Sequence, residues 1–400
     1  MSTVMSCKNG APARASSWLG VLAIALGAFA LVVMEFLPVG LLPGIVKGFG
    51  VSDGLAGLTV TATAAAGFVA APAVALAVGR LDRRLVLLGL SALVIVSGLI
   101  SLAAPNLAML VAARVILGIG VGGFWSISIV AAARLVPERD APKASSLVFA
   151  GISVASVVGI PMGVWLSARY DWRVAFGAAT LLAVSVFLLQ LFALPKIEMR
   201  QSATAADFLG LLKSRRIVAI YLTIVLIVAG HFAGYTFITP YLQRFARFDA
   251  DTLSALLLLF GAVAVAGNFV GGALAGRSLP GTIRSTIALF LVALAAMALF
   301  PLHALVIVVS LLAWALAWGM APVGTQLWLA SATRHAPEAA QSINTSVFQL
   351  SIALGSLAGG IAVDHVDLRA SMWVGTGLFV LAVVMAAVAG RLNAPRAVDV

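Results

Sequence analysis

The chain alternates between long apolar runs and short polar stretches. Twelve runs fall near residues 18–43, 54–78, 84–104, 107–133, 144–168, 173–194, 217–241, 252–276, 283–301, 304–331, 340–362 and 371–391. A bilayer core about 30 Å thick is crossed by about 20 apolar residues of helix, so each run is long enough to span. Strict two-residue alternation of polar and apolar positions, the mark of a transmembrane β-barrel, is absent from the sequence. The pattern predicts an all-α membrane protein with twelve transmembrane helices. The first run follows a polar tail, residues 1–17. It is too long for a cleaved signal peptide and is read as a retained helix. The longest connection, 195–216, is polar and basic and separates 18–194 from 217–391, leaving a short tail at 392–400.

Composition sharpens this picture. Of 400 residues, 62% are hydrophobic and 10% charged, more apolar surface than a soluble core can hide. A net charge of +11 would suit nucleic acid, but the basic residues form no stripe with interleaved aromatics. They sit between the apolar runs. With the N-terminus in the cytoplasm, eighteen Lys and Arg flank the inner ends, Arg84, Arg134, Lys143 and Arg277 among them. Six flank the outer ends: Lys47, Arg169, Arg173, Arg244, Arg247 and Arg369. The positive-inside rule then places both termini in the cytoplasm. The single cysteine, Cys7, rules out a disulfide framework. The sequence carries no phosphate loop of the form GxxxxGK[ST], no clustered Cys/His metal set and no nucleophile–base–acid set. The expectation is no enzyme, no cofactor and no metal.

The two halves repeat one another. "AARLVPE" (132–138) matches "SATRHAPE" (331–338), and "SLVFAGIS" (146–153) lies against "TSVFQLSI" (345–352). "YDWR" (170–173) lies against "VDLR" (366–369), and "VGR" (78–80) against "AGR" (275–277). The offsets are all near 200 residues and the order is kept. Each half holds six spans and starts on the same side. Two six-helix bundles related by an axis along the membrane normal, with the site between them, are a transporter architecture.

Few polar residues lie within the spans. Glu35 is the only acidic one. An ionised carboxylate at the bilayer centre costs roughly 2.5–3.5 kcal/mol on insertion scales. Burial favours its neutral form and a nearby cation its charged form, so a carboxylate whose surroundings change can take and release a proton. A permanently neutral acid or a fixed ion pair is the alternative. Arg114 is the only Lys or Arg well inside a span, roughly 10 Å from the outer end of its helix at about 1.5 Å per residue. It is expected to pair with Glu35, directly or through water, or else to be satisfied by backbone carbonyls. His231, in the seventh span, can titrate, can hydrogen-bond a substrate while neutral, or can be packed against backbone. Tyr235, Phe232, Trp314 and Trp318 offer flat surfaces on which a base could stack. Gln326, Asn344 and Gln349 could bond a polar ligand or bridge helices. Gly118, Gly120, Gly122, Gly123 and Gly159 allow close helix approach, and Pro38, Pro43 and Pro161 permit bends.

Over nearly its full length the chain resembles the major facilitator superfamily, in its drug/proton antiporter branch. "RVILGIGVGG" (114–123) is similar to that branch's fourth-helix motif, with Leu117 where glutamine is usual. "GISVASVVGIPMG" (151–163) is similar to the fifth-helix antiporter motif, which is associated with export. "GRLDRR" (79–84) is a reduced form of the loop motif between the second and third helices. "EFLPVGLLP" (35–43), "GGFWSISIVAAARLVPERDAPKASSLVFAG" (122–151) and "APVGTQLWLA" (321–330) look like the bacterial purine ribonucleoside efflux pumps. The resemblance implies a monomeric, proton-coupled exporter of purine ribonucleosides such as inosine. Arabinose-like sugars or amphiphilic drugs such as chloramphenicol are the alternative cargo. It implies Glu35 and Arg114 as the proton-coupling residues lining a central cavity, and Trp125 as the leading aromatic of a substrate site with His231, Tyr235, Gln326, Asn344 and Gln349. Asp82 and Arg83, with Gly159 and Pro161, would serve gating, Asp82 near the N-terminus of the eleventh helix. A membrane-embedded enzyme or a non-transporting receptor is the reading from another class. The repeat and the antiporter motif argue against it.

Overall fold

A computed structural model describes residues 17–77, 81–197, 210–333 and 337–392, with side chains omitted at 337 and 338. Twelve long helices follow one another: α1 (Trp18–Phe49), α2 (Asp53–Ala77), α3 (Arg83–Ala103), α4 (Leu107–Arg134), α5 (Ala141–Arg169), α6 (Trp172–Ala193), α7 (Arg215–Tyr235), α8 (Ala250–Arg277), α9 (Leu279–Leu299), α10 (Ala304–Ala332), α11 (Pro337–His365) and α12 (Leu368–Arg391). All twelve runs are long and apolar enough to cross a membrane. Helices α1–α6 pack into one bundle and α7–α12 into another. Short polar side chains start the helices by taking backbone N–H groups that have no partner within the helix. Asn106 caps Met109, and Asp249 caps Thr252, each at 2.9 Å.

The repeat has a physical basis. Asp171 and Asp367 each cap the N–H two residues on, at 2.8 Å, to open α6 and α12. Gly159 lies against Val33 and Gly163 against Leu37, joining α5 to α1. Gly355 lies against Ala229 and Gly359 against Ala233, joining α11 to α7. Every residue of the second set follows its counterpart by 196 positions, so one packing scheme serves both halves. On this register Glu35 and Phe36 correspond to His231 and Phe232. The Phe36 and Phe232 rings stack on each other across the bundles, centroids 5.5 Å apart.

Two elements depart from the sequence expectation. The first helix runs six residues past 43, to Phe49, through Pro38 and Pro43. The seventh does not run unbroken to 241. α7 ends at Tyr235, a turn follows, and a short helix (Ile238–Tyr241) leads into a π turn (Leu242–Ala246). Pro240 cannot donate to the Thr236 carbonyl, which removes the hydrogen bond that would carry the helix through. Arg247, in the left-handed region at φ 55°, ends the segment.

The bundles meet along two equivalent seams, α2 with α11 and α5 with α8. Hydrogen bonds and an ion pair join the bundles at mid-depth and toward the side away from the chain ends. On that far side Asp364 accepts from Ser52 Oγ and from the Gly54 N–H, both at 2.8 Å. Ser356 donates to the Gly57 carbonyl at 3.4 Å. Phe237, from the turn after α7, is fully buried against Gly57. The other seam carries an exposed Arg169–Asp251 ion pair at 3.1 Å. Toward the chain ends, a side chain added at Gly272 or Gly276 of α8 would meet only open space. Among the described residues, the hydrogen bonds of Asp364 and Ser356 fasten the interface on the far side.

Candidate functional site

Glu35 sits midway along α1, with 4% of its surface exposed. Its carboxylate faces the other bundle. Gln349 Nε2, on α11, donates to Glu35 Oε1 at 3.1 Å. A hydrogen bond to a charged group is worth about 1.5–3 kcal/mol, so this one contact holds α1 to α11 at the membrane's middle. The Gln349 side chain lies against Gly67 of α2, where a Cβ would come within 3.0 Å of its amide. Gln349 Oε1 is buried and has no hydrogen-bond partner.

Of the two expected arrangements, this structure shows Arg114 held by backbone carbonyls. It is fully buried, and its Nη2 donates to the backbone carbonyls of Met34 and Glu35 at 2.9 and 2.8 Å. Its Nε donates to Thr63 Oγ1 at 3.1 Å and to the Thr59 carbonyl at 3.3 Å. No ion pair joins it to the Glu35 carboxylate among the described residues. Pro38 explains why. Its missing N–H leaves the Met34 carbonyl, four residues earlier, without a helical donor, and Arg114 supplies one. The guanidinium thus splints the turn of α1 that carries Glu35.

His231 is fully buried and belongs to an aromatic cluster inside the second bundle. Its ring stacks on Trp318, centroids 3.7 Å apart and 3° from parallel, with Tyr235 on another side at 4.7 Å. Trp314 Nε1 donates to His231 Nδ1 at 2.9 Å. An indole N–H can only donate, so Nδ1 must accept and the imidazole is the neutral tautomer with its proton on Nε2. The geometry is that of a packed imidazole accepting from Trp314. The cluster reaches the bundle interface through the Phe36–Phe232 stack and through Phe348, which lies 6.1 Å from Trp318.

The remaining expectations divide. Tyr235 joins this cluster. Trp125 does not. It is half-buried and meets Phe124 edge-on at 6.0 Å within α4. Asn344 is buried and Gln326 half-buried, and neither makes a hydrogen bond among the described residues. The side chains that open the eleventh helix, the expected neighbours of Asp82, lie outside the described residues. Asp82 Oδ1 accepts from Arg84 N, capping α3 at 2.9 Å, and from Ile197 N at 3.0 Å, within its own bundle. An aspartate immediately before a helix satisfies the nearest free N–H groups first. Arg83 is buried beside it. The Arg80 and Arg334 positions lie outside the described residues. Gly159 packs α5 on α1, and Pro161 is buried within an unbroken α5. Phe36, Phe348 and Asp364 are parts of the interface that sequence reasoning did not single out. Phe36 carried a signal, since the repeat sets it opposite Phe232.

Paired six-helix bundles, with a buried carboxylate hydrogen-bonded across their interface, are the architecture of a membrane transporter. The chain belongs to the Major Facilitator Superfamily, whose model matches residues 24–342. It is 35% identical to the Transcription regulatory protein OpdE of Pseudomonas aeruginosa, over 97% of each chain. It is 32% identical to the Purine ribonucleoside efflux pump NepI of Salmonella paratyphi A, over 94% of this chain and 95% of that one. Among solved structures, an inward-facing bacterial homologue of the human lysosomal transporter Spinster shares the fold with a TM-score of 0.76 at 15% identity, covering 93% of this chain and 96% of that one. A D-xylose-proton symporter gives 0.75 at 17% identity, covering 93% and 97%.

Proposed function

We propose that the chain exports purine ribonucleosides such as inosine across the bacterial inner membrane in exchange for protons. The observation that carries this reading is the Glu35–Gln349 hydrogen bond. It makes the protonation state of one buried carboxylate a property of the contact between the bundles. A proton entering from outside neutralises Glu35, changes how it bonds to Gln349 and so shifts the balance between inward-open and outward-open states. Nucleoside moves the opposite way through the same interface. The flat faces of Phe36, Phe232, Trp318 and Phe348 suit a purine, and stacking a base on such a ring is worth about 1–3 kcal/mol. The relatives named as purine ribonucleoside efflux pumps support the cargo. The distribution of Lys and Arg supports cytoplasmic termini, and on that orientation the interbundle bonds of Asp364 and Ser356 lie on the outer side. The protein works as a monomer, needs no cofactor and catalyses no reaction. Asp82, Arg83, Gly159 and Pro161 act in the rocking of the first bundle.

The test is inosine flux in proteoliposomes with an imposed pH gradient. Wild type is expected to concentrate inosine against its own gradient. Glu35→Gln is expected to retain inosine exchange and lose uphill transport. Uphill transport by the variant would place coupling at another residue. No inosine movement by wild type would overturn the cargo, and arabinose-like sugars and chloramphenicol would then be assayed in the same vesicles.

A further inference from the structure

Three buried polar atoms near the middle of the molecule lack a partner: Arg114 Nη1, His231 Nε2 and Gln349 Oε1. The first two are donors inside single bundles. The third is an acceptor at the meeting of the two. It shares its amide with the nitrogen that holds Glu35.

An ionised Glu35 has only acceptors to offer. It takes one N–H of the amide and can do nothing for Gln349 Oε1. A protonated Glu35 carries a donor and an acceptor side by side, the complement of an amide. Its O–H reaches Gln349 Oε1 while its carbonyl keeps the Nε2–H. Protonation therefore completes a two-bond ring between α1 and α11, using both amide atoms. The same acceptor can instead be satisfied from outside, by an N–H on the edge of a base held between the neighbouring rings. Phe348 precedes Gln349, and Phe36 follows Glu35 in the interfacial stack.

We propose that Gln349 Oε1 is the atom for which proton and substrate compete, and that the substrate claims it with a ring N–H such as N1–H of a 6-oxopurine. The inference rests on reading Glu35 as the proton site. When the base N–H takes Oε1, Glu35 loses its acceptor and releases its proton to water as the carboxylate forms. The amide N–H stays on that carboxylate. Proton and nucleoside exclude one another, which is the condition for exchange rather than co-transport.

The experiment follows proton release with an indicator dye when inosine is added to the purified full-length chain in weakly buffered detergent, scanned through the neutral range. Wild type is expected to release up to about one proton per inosine bound, and Glu35→Gln none. Gln349→Met keeps the length of the side chain against Gly67. It is expected to bind inosine about tenfold more weakly, the loss of one hydrogen bond, and to release almost no proton. Wild type with 1-methylinosine, which lacks the N1–H, is the second measurement. It is expected to bind about tenfold more weakly and release none. A wild type that binds inosine without releasing a proton removes the exchange reading itself. Release by wild type and equal release by Gln349→Met, or by wild type with 1-methylinosine, overturns the role of Gln349 and leaves that reading standing.

Discussion

At the scale of single residues, the centre of the first bundle turns on a proline. Pro38 frees the Met34 carbonyl, and Arg114 answers it from α4. An unsatisfied buried polar group costs about 1–3 kcal/mol, so Arg114→Leu is expected to lower unfolding stability in micelles by at least that much. In a Pro38→Ala background the Met34 carbonyl regains its helical donor. The same arginine substitution should then cost about 1 kcal/mol less, and a four-protein unfolding cycle measures that coupling. If the cost is unchanged, the splint is not what Arg114 supplies. Glu35 and Arg114 were both legible as residues of interest, since each is the lone charge of its sign within the spans. Which of the two expected arrangements Arg114 adopts was not legible, because it turns on the backbone carbonyl four residues before Pro38. Gln349 was legible as a polar candidate, but its pairing with Glu35 was not. It lies 314 residues from Glu35, and only the closing of two bundles makes them neighbours.

At the scale of helices, glycine decides which pairs approach. A Cβ at Gly355 would overlap the Ala229 carbonyl, and one at Gly359 the Ala233 carbonyl. Overpacking of this kind costs about 1–3 kcal/mol or more. Gly355→Val is expected to reduce folded yield and midpoint temperature, and Gly159→Val the same at the equivalent contact of α5 with α1. These stripes were readable, because small residues at helical spacing have one use in a membrane. The end of α7 was not read correctly, because its apolar composition continues through Pro240. Gly54 is a different case, since it admits the Asp364 carboxylate of the opposite bundle to the start of α2. A methyl group there would collide with that carboxylate and with the Gly360 carbonyl. Gly54→Ala is expected to raise the labelling rate of a cysteine at Ser356 by a membrane-impermeant reagent several-fold. An unchanged rate would show that this cap does not hold the far side shut.

At the scale of the whole molecule, the two seams are equivalent in position but unequally fastened. The α2–α11 seam has Asp364 bonded to backbone. The α5–α8 seam has an ion pair between half-exposed Arg169 and Asp251, and exposed pairs contribute about 0.2–1 kcal/mol and are weakened by salt. Asp251→Asn should therefore change transport less than Gly54→Ala, and a spin-label distance across α5–α8 should widen with rising ionic strength in wild type but not in Asp251→Asn. The sequence repeat announced the two bundles but not this inequality, which depends on which side chains meet once the bundles close. The stacked pair Phe36 and Phe232 has a longer consequence. These residues occupy the same place in the two halves, and each finds the other as its partner. That is the geometry of a self-complementary dimer contact, in which one surface recognises its own copy. A half-length chain of six helices bearing this phenylalanine would already own the centre of its interface. With that joint in place, the residue just before it can differ between the halves, glutamate in one and histidine in the other.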